Sequence, residues 1–117
     1  MARAALSSMA LEQMAITAHY NSKELAALCQ LSARHLQREF RRQLNQTPQK
    51  WLDELRIKAA AQLLLGGMPV KRVAIELGFK QISHFCRQFK LRNRQTPSEF
   101  ASSQFQLLSN ERNQHES

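Results

Sequence analysis

A chain of 117 residues has room for one compact domain or for two very small units sharing a core. Lysine and arginine exceed aspartate and glutamate by 17 − 9 = 8, a surplus that suits a polyanionic partner, either a nucleic acid or an anionic membrane surface. Scarce glycine, few β-branched residues and plentiful Ala, Leu, Gln, Arg and Glu favour an all-α chain; the apolar runs are far too short to span a membrane, and the first twenty residues lack the apolar core of a secretory signal.

Residues 1–20 read as a weakly amphipathic packing helix, with Leu6, Met9, Ala10, Met14 and Ile16 as its inner stripe and Tyr20 closing it. Asn21 has the chemistry of an N-cap, and Glu24, three residues on, can complete a capping box. Leu25, Ala26 and Leu28 give the buried side of this helix, which ends near residues 29–30. Ser32 is a second N-cap. From 33 to about 44, Leu36, Phe40 and Leu44 recur at i, i+4 and i+8 on an inner face, while Arg34, Gln37, Arg38 and Arg41 lie largely on other faces with Arg42 close by. Residues 21–47 therefore form one helix-turn-helix unit.

Asn45 tolerates the left-handed conformation that ends a helix. Thr47 then caps a long helix whose first residue is Pro48, where a missing N–H costs nothing. This helix spans 48–66 and stops at Gly66-Gly67. Leu52, Leu55, Ala59 and Leu63 mark one side, and Trp51, Ile57, Ala60, Ala61 and Leu64 spread over the rest. That is the pattern of a linking strut buried on more than one side.

The second unit covers 68–108. Pro69 suits a first helical position, and Val73, Ala74 and Leu77 form the apolar side of a short helix. Gly78 supplies the positive φ of a sharp turn. Phe85 and Phe89, one turn apart, anchor the helix that follows, leaving Gln81, Ile82, Ser83, His84, Cys86 and Arg87 for its outward face. Between Lys71 and Arg94 seven bases meet a single acid, Glu76. Thr96-Pro97 repeats the earlier cap, Glu99 completes a capping box, and a closing helix over about 97–108 offers Phe100, Phe105 and Leu108 for packing. Residues 109–117 read as a polar, disordered tail.

The two units repeat each other. Leu36, Arg38, Phe40, Thr47, Pro48 and Trp51 return 49 residues later as Phe85, Arg87, Phe89, Thr96, Pro97 and Phe100. Leu25, Ala26 and Leu31 return 48 residues later as Val73, Ala74 and Phe79, so the single-residue change of offset falls between the helices.

These residues resemble the DNA-binding domain of the AraC/XylS family of bacterial transcription regulators. The resemblance covers about residues 20–101 and is carried best by VAIELGF, SHFCRQFK and TPSEF in the second unit. Leu25-Ala26, Ser32, Leu36, Arg38, Phe40 and Thr47-Pro48 carry it in the first, and Arg56 and Ala59 fit the strut's R-x-x-A. The chain departs from the family pattern at Asn45 and Arg94, where glycine is usual, and at Gln30, where glycine is frequent; Asn93 offers an alternative place for the second left-handed turn.

The resemblance implies a sequence-specific, double-stranded-DNA-binding transcription regulator, more often an activator. One recognition helix from each unit would enter the major groove, the strut holding the two about one helical turn (~34 Å) apart. In the first unit the base-reading positions are Arg34, Gln37 and Arg38, suited to guanine and adenine edges; phosphate contact or plain solvation is the competing state of both arginines. In the second unit they are Gln81, Ile82, Ser83, His84, Cys86 and Arg87, with Ile82 placed for a thymine methyl and His84 for a phosphate or for packing beside Phe85. Arg41, Thr47, Lys80, Lys90 and Thr96 are the phosphate-contact positions. The implied partners are an operator duplex, RNA polymerase, and a sensing or dimerisation domain outside this chain, in the cytoplasm of a bacterium at its nucleoid.

Other chemistry finds little support. Cys29 and Cys86 read as free thiols of a reducing compartment. His84 and Cys86 stand two apart on a helix and share no face, and no second pair has zinc spacing, so no metal or cofactor is expected. The chain has no Gly-rich phosphate loop and no nucleophile motif, so it does not read as an enzyme. A protein-interaction or adaptor module on the same scaffold is the competing reading; acidic or apolar recognition helices would mark it, and these are basic.

Overall fold

Local capping chemistry decides where most of the helices begin. The computed structural model describes residues 8–103, and every regular element among them is helical. The elements are α1 (Ser8–Thr17), α2 (Ser22–Leu28), α3 (Ala33–Leu44), α4 (Pro48–Leu65), α5 (Val70–Glu76) and α6 (Ile82–Asn93). A seventh, α7, is helical over 97–103. Leu6, the Met9 side chain, Phe105, Leu108 and the 109–117 tail lie outside the described residues. The chain divides into two compact units within α4, between Arg56 and Ile57.

In the first unit α1 packs on α2, and α2 on α3. The buried side of α1 is Leu11 and Ala15, followed by Ala18, rather than the expected stripe; Ala10 and Ile16 are exposed and Met14 only half-buried. Apolar residues run nearly all round α1, so periodicity could not choose the inner face. Tyr20 is buried as expected.

The Asn21 cap forms, its Oδ1 accepting from the Glu24 N–H at 3.1 Å, but the capping box does not close. The Asn21 N–H is already bonded to the Ala18 carbonyl at 3.1 Å, and the Glu24 carboxylate instead meets the His19 ring at 3.3 Å. Gln49, in the first turn of α4, fastens this corner. Its side chain accepts from the Ser22 N–H (3.0 Å) and donates to the Tyr20 carbonyl (3.1 Å) and the Asp53 carboxylate (3.0 Å).

Ser32 caps α3 through the His35 N–H at 3.0 Å. Leu36 and Phe40 are buried, and Phe40 stacks at 5.5 Å on Trp51, while Leu52 completes the buried side from α4. Leu28 and Leu44, expected inside, are 43% and 39% exposed. Each is the last residue of its helix, where the chain projects beyond its packed turns.

In the second unit Ile57, Ala60 and Leu64 of α4 join Val73, Ala74, Phe79, Phe85 and Phe89 in one core. The aromatic rings run in series: Phe79–Phe85 at 5.0 Å, Phe85–Phe89 at 5.9 Å and Phe89–Phe100 at 5.3 Å. Pro69 is the N-cap of α5 rather than its first residue, because its ψ of 149° is extended; proline's fixed φ serves either position and only ψ separates them. Gly78, at φ 78°, makes the turn. The capping box at α7 closes fully: Thr96 N–H donates to Glu99 Oε1 at 2.8 Å, and Glu99 N–H to Thr96 Oγ1 at 3.1 Å.

The repeat extends to the backbone. Gln30 and Gly78 are left-handed, 78 − 30 = 48 residues apart, and so are Asn45 and Arg94, 94 − 45 = 49 apart. Arg94 itself takes the left-handed conformation (φ 63°), not Asn93, which stays helical and donates its amide to the Phe89 carbonyl at 3.2 Å. The turn residues Leu31 and Ser32 correspond to Phe79, Lys80 and Gln81, so Lys80 is the inserted residue.

Candidate nucleic-acid interface

Helix α3 has three distinct faces. Leu36 and Phe40 point inward. His35, Glu39, Arg42 and Gln43 form a second face on which the acid is fully engaged. Glu39 Oε1 accepts from Arg42 at 2.7 Å and from Gln43 at 2.9 Å, while Oε2 lies 4.0 Å from His35. These hydrogen bonds hold the Glu39 carboxyl below its ordinary range, so it stays anionic and keeps Arg42 to itself. The third face is Arg34, Gln37, Arg38 and Arg41, at i, i+3, i+4 and i+7, and all four are exposed.

Helix α6 presents the same four positions 49 residues later: Ser83, Cys86, Arg87 and Lys90. Ser83, Arg87 and Lys90 are exposed and Cys86 is half-buried. Among the described residues, none of Arg34, Arg38, Arg41, Lys80, Arg87 and Lys90 has a carboxylate at ion-pair distance, whereas Arg72, on α5, is held by Glu76 at 3.2 Å. Neither α3 nor α6 has an acid in its first turn, so the positive end of each helix dipole is left uncompensated. Paired cations thus lie away from these faces, and the cations on them are open to an outside anion.

The remaining expected residues sit around this frame. Gln81 is the N-cap of α6, but its side chain makes no cap bond, leaving its amide unspent. Ile82 is 42% exposed. The His84 and Phe79 rings meet in a T-shaped arrangement with centroids 5.7 Å apart. Thr47 and Thr96 use their hydroxyl oxygens as cap acceptors for Lys50 (3.2 Å) and Glu99, which leaves each hydroxyl hydrogen available. The i, i+3, i+4, i+7 spacing that puts Arg41 on one face with Arg34, Gln37 and Arg38 was legible as a period; the Gln49 latch, which has no sequence signal, was missed.

Cys29 and Cys86 are both half-buried free thiols, and burial pushes the Cys29 thiol up. Among the described residues no three metal-ligating side chains gather, and no helix is long and apolar enough to cross a membrane. A hollow lined by Ser22, Ala33, Leu36, Gln37, Thr47, Pro48 and Gln49 measures about 70 Å³, well below the roughly 300 Å³ at which small-molecule pockets begin.

Residues 25–103 match the family model of a helix-turn-helix domain. The chain is 37% identical over 79 residues to the HTH-type transcriptional regulator RipA of Corynebacterium diphtheriae, covering 68% of this chain and 24% of that protein. It is 36% identical over 77 residues to the HTH-type transcriptional regulator CdhR of Pseudomonas aeruginosa, covering 65% and 23%. An uncharacterised HTH-type transcriptional regulator of Haemophilus influenzae is 29% identical over 85 residues, covering 72% and 28%. The chain therefore spans about a quarter of the length of the curated relatives it matches. A solved DNA-binding transcriptional dual regulator from Escherichia coli K-12 shares the fold at a TM-score of 0.75 and 22% identity, covering 89% of this chain and 99% of that one. A probable AraC family transcriptional regulator from Rhodopseudomonas palustris superposes at a TM-score of 0.62 and 25% identity, covering 83% and 98%.

Proposed function

Because the chain belongs to the AraC-type helix-turn-helix family of transcription regulators, we propose that its two units bind double-stranded DNA sequence-specifically, α3 and α6 each entering a major groove. One observation carries this reading: an outward face at the same four positions occurs twice, at 34/37/38/41 and 83/86/87/90, and its cations have no carboxylate at ion-pair distance among the described residues. Arg34, Gln37, Arg38, Gln81, Ile82, Ser83, His84, Cys86 and Arg87 read bases. Arg41, Thr47, Lys80, Lys90 and Thr96 hold phosphates and set the register. As in a regulator of this kind, the chain works in the bacterial cytoplasm at the nucleoid, acts on transcription as an activator in contact with RNA polymerase, and takes its signal from a sensing or dimerisation domain of a longer protein.

The test is a binding selection from a random duplex pool, with the affinity of the winning sequence followed against salt. Enrichment of a site with two short boxes about one helical turn apart (~34 Å) supports two-helix reading. Binding that collapses with salt but enriches nothing rejects sequence-specific recognition by this chain. No binding to any duplex favours the adaptor module instead.

A further inference from the structure

The two outward faces match in position but not in chemistry. Residues 33, 34, 37, 38 and 41 of α3 are Ala, Arg, Gln, Arg and Arg; their counterparts in α6 are Ile82, Ser83, Cys86, Arg87 and Lys90. The N-terminal residues of a recognition helix are the ones that meet base edges. In α3 that end carries Arg34 and Gln37, both rich in hydrogen-bond donors. In α6 the matching positions carry a branched hydrocarbon, a hydroxyl and a thiol, with the Gln81 amide and the His84 ring beside them, and the first cation of the helix is Arg87, beyond them.

Ile82 is 42% exposed and is not a member of the buried core cluster of its unit, so part of its side chain is open to an outside contact. Its counterpart Ala33 leaves the same place in α3 nearly bare. The 5-methyl of thymine is the one apolar feature of the major-groove edge, whereas guanine and adenine present acceptors and donors there.

The geometry points to a chemically unequal pair of half-sites: α3 reads a purine box containing guanine through hydrogen bonds from Arg34, Gln37 and Arg38, and α6 reads a thymine through its 5-methyl group, covered by Ile82. This rests on the two-groove reading above and assigns each helix its class of base. Ile82 is then a specificity-determining residue beside the base-reading Arg87, and Lys90 behind them supplies attraction.

The experiment uses the duplex recovered by the selection, with each thymine replaced in turn by deoxyuridine, which lacks only the methyl. One thymine of one box should weaken binding about three- to fivefold when replaced, the value of covering a single methyl. Ile82→Ala should weaken binding to the thymine duplex by the same factor and abolish the deoxyuridine effect, while Arg34→Ala preserves it. In the other box, 7-deazaguanine, which lacks the N7 acceptor, should weaken wild type but not Arg34→Ala or Arg38→Ala at the matching position. Ile82→Ala should remain fully folded at the assay temperature, read from its thermal unfolding curve, as expected of a side chain outside the buried core cluster. If a specific site is recovered but no thymine is methyl-sensitive, or Ile82→Ala retains the sensitivity, the unequal half-sites are refuted while two-groove binding stands. If no site is recovered, the reading beneath both falls.

Discussion

Replacing Arg38 by alanine separates reading from clamping. Six cations, Arg34, Arg38, Arg41, Lys80, Arg87 and Lys90, are exposed with no carboxylate at ion-pair distance among the described residues. If all of them neutralised phosphates, the slope of log affinity against log salt would be about −5.4, and binding would fall roughly 2000-fold between 50 and 200 mM salt. If Arg34, Arg38 and Arg87 are spent on bases, the remaining three give a slope of about −2.7 and a fall of roughly 40-fold. Arg38→Ala should therefore cost about 1–3 kcal/mol on the selected duplex, roughly 5- to 150-fold, much less on a scrambled one, and leave the slope unchanged. Lys90→Ala should weaken all duplexes alike and make the slope shallower by about 0.9. Fluorescence anisotropy on both duplexes across a salt series reads all of these quantities. An Arg38→Ala protein that loses affinity equally for both duplexes, with a shallower slope, refutes base reading by Arg38. Unchanged affinity and preference would mean that Arg38 is not a reader.

Three further outcomes concern the scaffold. Phe89 is fully buried between the Phe85 and Phe100 rings, so Phe89→Ala should cost about 3–5 kcal/mol, a large part of the roughly 5–15 kcal/mol that stabilises a small domain; a loss below about 1 kcal/mol in urea unfolding would contradict its place in the core. Arg94 holds a left-handed conformation at φ 63°, so Arg94→Gly should stabilise by about 0.5–1 kcal/mol and Asn45→Gly by less, read as melting temperatures, and a lowered value for Arg94→Gly would discredit the strain argument. The Thr96 N–H bond holds the Glu99 carboxyl below its ordinary range, so its contribution is present above the range where an unfolded carboxylate titrates and is lost as pH falls through the lower folded-state value. Glu99→Gln keeps an acceptor but cannot titrate, and its acid unfolding curve should be correspondingly flatter; a curve identical to wild type would remove the box from the acid response.

The parts of the fold that were legible in the sequence are those decided within one or two turns of chain. Asn21, Ser32, Thr47 and Thr96 cap as their side-chain chemistry requires, and Asn45 and Gly78 take the left-handed turns expected of them. What periodicity misjudged was burial at helix ends and on α1, where Leu28, Leu44 and Ile16 are exposed because neighbouring elements, not the helix itself, decide what is covered. The Asn21 box failed to close for a similar reason: the Ala18 carbonyl had already taken the N–H that Glu24 needed. The outward face of α3 was legible through its spacing; the diversion of Glu39 and Arg42 onto a separate face depends on rotamers that spacing alone does not determine. Nor does spacing reveal that Lys80 is the inserted residue, which needs the two turns side by side.

The amide of Gln49 gives the first unit a chemical lifetime of its own. Both its N–H donations, to the Tyr20 carbonyl and the Asp53 carboxylate, come from the nitrogen that hydrolytic deamidation removes. Loss of that nitrogen during storage would replace a donor by an anionic oxygen, facing a carbonyl and a second carboxylate one helical turn away. The second unit carries Ser98 at the matching position, so this three-way latch has no counterpart there. Deamidation at this one residue would thus act on the two halves of the repeat unequally, loosening the corner between α1, α2 and α4 with no equivalent loss at Ser98.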